Sequence, residues 1–339
     1  MTDFNDEYAE AEEEALAADD YLDPEVVQEL RTLDEAQLPD DHKSGFVAVV
    51  GRPNVGKSTL MNALLQQKVA IVSPRPQTTR TRQLGIITRP DHQIIFIDTP
   101  GIMQPRHKLD EFMLDAAEET LVDSDLVLWL VDVSEPPGAG DLAIAEKLRN
   151  VAARTPVILA MNKADLLEPE EVLPRTEAYR ALIPETENWL LFSAANTDGL
   201  EALYEIVLDT LPEGPRYYPA EQVTDLYMRD IAAEMVREQV LLQIREEIPH
   251  GVAVKVEEFK ERETGVVYIN ATIFVERGGH KKIIIGSRGS QLREIGRAAR
   301  TEIERMLGTR VYLDLWVKVE PNWRRNERAL KQFGYAAPE

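Results

Sequence analysis

The sequence predicts a mostly parallel α/β sheet with helices on both faces, followed by a second, smaller α+β domain. Three observations carry this expectation. The chain has 339 residues, about twice the usual ~150-residue domain. From Gly45 to about Leu211, short apolar runs alternate with amphipathic helical stretches, the rhythm of helix-covered strands. Leu211-Pro212-Glu213-Gly214-Pro215-Arg216-Tyr217-Tyr218-Pro219 then breaks the alternation with prolines and a glycine, as a domain boundary does.

In chain order, strands are expected at Phe46–Val50, Gln83–Thr88, Ile94–Asp98, Leu126–Val133, Val157–Met161 and Trp189–Phe192. Several are continuous apolar runs, as strands buried on both faces are. The second and third are separated only by Arg89-Pro90-Asp91-His92, which predicts an antiparallel hairpin. The others have helical spacers and are expected to be parallel. After the boundary comes a long helix, about Thr224 to Glu247, then alternating strands Val252–Glu261 and Val266–Val275. A helix, a glycine turn, a helix over about Gln291–Leu307 and a strand Val311–Val319 complete the chain. The division expected is an acidic tail 1–42, a first domain 43–211, a linker 212–220, a second domain 221–335 and a short tail 336–339.

Composition removes several function classes. There is no cysteine, which excludes disulfides, thiolate metal sites and cysteine nucleophiles. The apolar run Leu126-Val127-Leu128-Trp129-Leu130-Val131 falls far short of the ~20 residues of a membrane-spanning helix. The acidic start lacks the pattern of a signal peptide, so a cytoplasmic protein is expected. The net charge is −22, but its placement matters more than its size. Residues 1–42 carry 16 acidic side chains against Arg31 alone, a net −15, a composition that suits disorder. The stretch from Arg277 to Arg310 reverses the sign, with nine Lys and Arg against three Glu, and is a candidate phosphate-binding face.

Gly51-Arg52-Pro53-Asn54-Val55-Gly56-Lys57-Ser58, followed by Thr59, has the phosphate-loop spacing between an expected strand and an expected helix. Its backbone N–H groups can surround phosphates at the helix N-terminus, Lys57 can reach the terminal phosphates, and the Ser58 hydroxyl can ligate Mg²⁺. Asp98-Thr99-Pro100-Gly101 follows the third strand. There Asp98 is placed to hold Mg²⁺ through water, and the Gly101 N–H to meet a γ-phosphate. Asn162-Lys163-Ala164-Asp165 follows the strand Val157–Met161 and suits guanine. Asp165 accepts from the ring N–H and the exocyclic amine, Asn162 bonds the opposite edge, and Lys163 lies along the ring. Adenine lacks that donor pair and would leave the carboxylate desolvated and unpaired. Ser193-Ala194-Ala195, after Trp189–Phe192, can offer backbone N–H to the guanine oxygen. The nucleotide read from these residues is GTP. Thr78 or Thr79, in the polar, proline-bearing segment Val72–Arg82, is expected to close over Mg²⁺ when GTP is bound.

With these five elements in order, the chain resembles translation-factor-type GTPases, and Gln77-Thr78-Thr79-Arg80-Thr81-Arg82 is similar to the first switch of the Era family. The similarity runs from about Gly45 to Tyr335. It implies an α/β phosphate-loop GTPase domain followed by an α+β KH type II RNA-binding domain, with Thr79 as the metal-closing threonine. Ile102 stands where Ras-like GTPases place a water-orienting glutamine, so intrinsic hydrolysis is expected to be slow. Related GTPases with this replacement use a bound K⁺ held partly by a phosphate-loop asparagine, a position filled here by Asn54.

In the second domain, Ile283-Ile284-Ile285-Gly286-Ser287-Arg288-Gly289 joins two helices, flanked by Lys281, Lys282 and Arg293. KH domains clamp about four single-stranded nucleotides at such a loop, with the isoleucine run expected as a groove wall. The resemblance implies the 3′ region of 16S rRNA as ligand and a role in 30S subunit assembly and rRNA maturation; no DNA partner is expected. Two rival readings are an RNA-binding scaffold with a structural, slowly hydrolysing GTP site, and a membrane-surface GTPase at the inner face of the cell membrane; the acidic tail reads as a solvated segment or, alternatively, a regulatory mimic of RNA.

Overall fold

The computed structural model describes residues 38–73, 75, 78–102, 105, 107–245, 248–262 and 264–335. The expectations for residues 1–37 of the acidic tail, for Gln77, for Glu247 and for 336–339 lie outside them.

The first sheet has the order β2-β3-β1-β4-β5-β6. Its strands are β1 (Lys43–Val50), β2 (Gln83–Thr88), β3 (His92–Asp98), β4 (Leu126–Asp132), β5 (Val157–Asn162) and β6 (Trp189–Leu191). Only β2 runs antiparallel, against β3; β1 pairs in parallel with β3 and β4, and β4, β5 and β6 continue the parallel run. Alternate side chains feed two cores. Val47, Val49, Leu126, Leu128 and Leu130 pack on the side of α1 (Lys57–Leu65) and α5 (Leu200–Thr210). Ala48, Val50, Val127, Trp129 and Val131 pack opposite, with α2 (Lys108–Val122), α3 (Ala139–Val151) and α4 (Pro169–Arg180). The period-2 alternation of a strand between two helical layers is why these runs are apolar at every position.

The second sheet has the order β7-β8-β9, with β7 (Val252–Glu261) antiparallel to β8 (Val267–Val275) and β9 (Val311–Val319) parallel to β8. Its core lies against α6 (Met228–Gln243), α7 (Gly278–Ile285) and α8 (Ser290–Leu307). Ile295, Ala299, Ile303 and Leu307 recur every fourth residue on the buried face of α8. A last helix, α9 (Glu327–Gln332), brings Ala329 and Leu330 into a cluster with Trp323, Tyr335 and Leu109 and Met113 of α2.

The predicted long helix begins four residues late, at Met228. The preceding chain is strapped to the first sheet instead. Gln93, fully buried, accepts from the N–H groups of Tyr217 and Tyr218 and donates to the Tyr218 carbonyl. Ile86 N–H donates to Val223 O at 2.8 Å and Leu84 N–H to Asp225 Oδ1 at 2.9 Å. The strap thereby satisfies donors of the open β2 edge. Its start also pairs with the chain entry, where Lys43 bridges Glu213. Among the described residues no helix is long and apolar enough to cross a membrane.

Candidate functional site

Loop 51–56 leaves β1 and turns into α1, and the turn depends on glycine. Gly56 caps α1 at φ 104°, and a Cβ there would lie 2.3 Å from Asn162 Nδ2, so both conformation and space demand that it have none. The first turn of α1 carries no acidic residue, which leaves its free N–H groups open to an anion. Lys57 Nζ reaches back to the carbonyls of Gly51 (3.3 Å) and Arg52 (3.1 Å). Burial pushes its ammonium down to about 8, against the opposing pull of Asp98, so a site for negative charge lies beside a lysine short of counter-charge.

Three oxygens converge beneath the loop. Ser58 Oγ lies 2.8 Å from Thr79 Oγ1 and donates to Asp98 Oδ2 at 2.9 Å; Thr79 Oγ1 lies 3.1 Å from the same carboxylate oxygen. Asp98 is fully buried and its Oδ1 has no partner. Burial raises its pKa, and Lys57, Ser58 and Thr79 oppose that rise. A small set of hard oxygen donors with one buried carboxylate oxygen unsatisfied fits a magnesium ion. The two threonines are separated by geometry: Thr78 Oγ1 turns away and donates to Arg75 O at 2.8 Å.

A cleft partly open to solvent runs from these oxygens to the loops after β5 and β6. Pro53, Asn54, Gly56, Lys57, Ser58, Thr59, Thr78, Thr79, Gly101, Asn162, Lys163, Asp165, Ser193, Ala194 and Ala195 all line it. Among the described residues Asp165, exposed, is the only carboxylate in the lining. Asn162 acts as a staple: Nδ2 donates to Val55 O at 2.8 Å and Oδ1 accepts from Ala194 N–H at 2.9 Å. Its amide therefore holds the phosphate loop and the Ser193–Ala195 loop in register and retains one N–H for a ligand. Lys163 sits at φ 67° with its ammonium on Asp132. Asp132 and the walls Ile71 and Leu166 escaped the sequence reading, while Val72 and Ser73 begin the segment it singled out. For Asp132 a signal existed, since it ends β4 directly opposite Asn162 in the parallel register.

Other predicted residues lie elsewhere. Thr99 and Pro100 are buried, with Thr99 Oγ1 donating to Val49 O at 2.8 Å, and Val55 is in the core. Arg52 turns from the cleft to pair with the buried Asp141 at 2.8 Å. Thus Gly51, Arg52, Val55, Thr99 and Pro100 shape the cleft without lining it. Ile102 packs into the second core, so the position after Gly101 sends no side chain toward the phosphate end.

Arg80 also departs from the nucleotide side. It is 2% exposed, and its guanidinium donates to Val252 O at 2.6 Å and His250 O at 3.0 Å, beside the rings of Trp323 and Tyr335. Arg237 of α6, fully buried and paired with Glu234, donates to Thr78 O. Glu238 accepts from Val72 N–H at 2.9 Å and pairs with Lys68 at 2.6 Å. The segment that brings Thr79 to Ser58 and Asp98 is thus gripped on its other side by the second sheet and α6. Thr81, next to Arg80, is half-buried at the start of the turn into β2.

On the far side, Gly286 joins α7 to the single turn Ser287–Gly289 at φ 72°, and a Cβ there would lie 2.7 Å from Gln291 Cβ. Ser287, Arg288, Lys282 and Arg293 are exposed, with Lys281 half-buried beside them. The isoleucine run does not form one wall. Ile283 is exposed, Ile284 is fully buried in the core and Ile285 packs against it. Successive residues of a helix point about 100° apart, so three in a row cannot share a face.

Comparison with known proteins agrees with this geometry. A profile for a 50S ribosome-binding GTPase matches residues 46–163, and a KH domain profile matches residues 247–324. The curated GTPase Era of Halothermothrix orenii is 50% identical over 299 residues, covering 87% of this chain and 99% of its own. The chain belongs to the Era family of GTPases. The GTPase Era of Ruminiclostridium cellulolyticum is 48% identical over 294 residues, 87% of this chain and 98% of its own. An Era crystal structure in complex with MgGDPNP and nucleotides 1506–1542 of 16S ribosomal RNA superposes with a TM-score of 0.84. It is 42% identical, and the match covers 87% of this chain and all of that one. Aquifex aeolicus Era Y63A bound to GDP·AlF₄⁻ gives 0.83 at 41% identity and the same coverage. In Era-family terms the expected architecture, a GTPase domain with a mostly parallel sheet followed by a KH domain, is the one observed.

Proposed function

We propose that this Era-family GTPase binds the 3′ region of 16S rRNA through residues 281–293 and acts on the maturing 30S subunit, coupling rRNA engagement to its nucleotide state. Residues 43–211 form the GTPase domain in this reading, 221–335 the KH domain, and 212–220 the link between them. The observation that supports coupling is the segment 72–80. Thr79 meets Ser58 and Asp98, while Thr78 and Arg80 are bound by groups of the second domain.

Ser58, Thr79 and Asp98 are the residues to hold Mg²⁺, which would neutralise charge developing on the phosphates. Loop amides of 51–59 and Lys57 surround the phosphates, the Gly101 N–H meets the terminal one, and Asp165 reads guanine with Asn162, Lys163 and the Ser193–Ala195 loop. Among the described lining residues the phosphate end offers hydroxyls, backbone amides and Lys57, so the contribution of these residues there is positioning and electrostatics. Asn54, in the cleft lining, is the residue to help hold a K⁺ ion. The buried Ile102 favours a second reading, an RNA-binding scaffold with slow turnover.

Single-turnover GTP hydrolysis decides between them. The rate is expected to need Mg²⁺, to rise in KCl over NaCl, and to rise again with an oligonucleotide from the 16S 3′ end but not with a scrambled one. Rates that stay negligible in every condition would leave the scaffold. A rate indifferent to RNA would remove coupling.

A further inference from the structure

Much of the exposed charge on α7, the Gly286–Gly289 turn and α8 is not balanced by ion pairs among the described residues. Arg277, Lys282, Arg288, Arg293 and Arg297 are exposed and Lys281 is half-buried, and none forms an ion pair with a described residue. Farther along α8 the pattern changes, with Arg305 bound to Glu302 at 2.8 Å and Arg300 near Glu304 at 3.9 Å. Like charges one turn apart, as at Arg293 and Arg297, destabilise a helix by a few tenths of a kcal/mol. The bare cluster is therefore a surface built to be neutralised by something else. Other prominent cations are already matched: Arg52 by Asp141, Lys163 by Asp132, Lys68 by Glu238 and Glu302.

The chain carries a matching polyanion. Residues 1–37 hold 14 Asp and Glu against Arg31 alone. The Era relatives run nearly their whole length against 86–87% of this chain, and the unmatched share is about the size of this acidic segment. It joins the fold beside the boundary between the two domains, where His42 and Lys43 pair with Gly214 and Glu213. A 37-residue segment spans up to about 120 Å extended and roughly 35 Å as a coil, so it reaches most of the molecular surface. Tethering gives it an effective concentration in the millimolar range.

We propose that residues 1–37 act as an intramolecular polyanion that occupies the basic face of α7, the Gly286–Gly289 turn and α8, and that single-stranded RNA must displace it. The proposal rests on the RNA-binding reading above. Its consequence is selectivity: a ligand held only by phosphate charge competes with a tethered rival of the same kind, whereas one that also makes base contacts displaces it. Both equilibria strengthen as salt falls, so the tail flattens the salt dependence of RNA binding.

The test compares the full chain with a full-length variant whose acidic residues in 1–37 are replaced by Asn and Gln. Fluorescence anisotropy with a 16S 3′-end oligonucleotide is read at about 50 and 500 mM salt. The neutralised variant is expected to bind about tenfold more tightly at low salt, with a steeper salt slope, and equally at high salt. In parallel, carbodiimide cross-linking of the full chain should join tail carboxylates to Lys281 or Lys282, and RNA should suppress those products. Equal affinities at both salts, with tight RNA binding intact, would overturn the tail assignment and leave the RNA reading standing. Absence of RNA binding in both proteins would overturn the RNA reading. The cross-links alone then decide docking: products only at lysines outside this face refute it, and products at Lys281 or Lys282 uphold it.

Discussion

Replacing Arg80 by alanine is expected to uncouple the GTP site from the KH domain. The guanidinium is almost wholly buried and donates to the carbonyls of Val252 and His250 at 2.6 and 3.0 Å. Hydrogen bonds from a charged donor contribute about 1.5–3 kcal/mol each. Burial works against them, as the lowering of the Arg80 pKa by desolvation indicates. Subtracting that cost leaves a net loss of about 2–4 kcal/mol on truncation. At roughly 2–4 °C per kcal/mol for a domain of this size, thermal unfolding of the full chain should fall by about 5–10 °C. The second readout follows from position. Thr79, the neighbour of Arg80, approaches Ser58 and Asp98, so an Mg²⁺–GTP complex that holds Thr79 also favours the docked Arg80. By reciprocity, loosening the dock lowers affinity for a GTP analogue while GDP affinity stays within about threefold. A drop of about tenfold in the analogue-to-GDP ratio, measured by calorimetry, is expected. Arg80→Lys keeps the charge but loses the planar fork that meets two carbonyls, and should recover less than half. An unchanged melting temperature together with an unchanged analogue-to-GDP ratio in Arg80→Ala would refute the reasoning.

Asp165→Asn should weaken GTP binding and improve xanthosine nucleotide binding, because xanthine presents a carbonyl where guanine has its amine; a competition titration showing equal GTP affinity would remove Asp165 from the guanine site. Thr79→Ala should reduce Mg²⁺-dependent binding of a GTP analogue about tenfold or more while sparing GDP, whereas Thr78→Ala, whose hydroxyl turns to Arg75 O, should change neither; the reverse order would assign the metal to Thr78. Asn54→Ala should abolish the KCl-over-NaCl rate difference and keep most GDP binding, and equal parent rates in the two salts would dispose of the potassium site. Ser287→Asp with Arg288→Asp should abolish binding of the 16S 3′-end oligonucleotide and leave GTP affinity near the parent value; retained RNA binding would make the Gly286–Gly289 turn a mere connector.

Much of this was legible in the chain itself, for reasons that are local. Strands Gln83–Thr88, Val252–Glu261 and Val311–Val319 run where the residue pattern put them, since short apolar or alternating runs between turn residues are local signals. The phosphate loop was legible because backbone amides and a helix N-terminus need only a short run with glycine at fixed offsets. Side-chain direction was not legible. The Ile283–Ile285 run reads as one apolar wall, yet helical rotation sends Ile284 into the core and leaves Ile283 exposed. Arg80 reads as part of the first switch beside Thr79, yet its partners are carbonyls about 170 residues away. Asn162 reads as a base contact, and only the packing of three loops at the sheet's end makes it the staple between Val55 and Ala194. The sequence by itself determined the two domains, their order and the nucleotide chemistry, because these depend on residue type and spacing. Only the tertiary structure decided which groups face each other across the domain boundary, because a buried charge such as Arg80 is placed by whichever distant carbonyls can satisfy it.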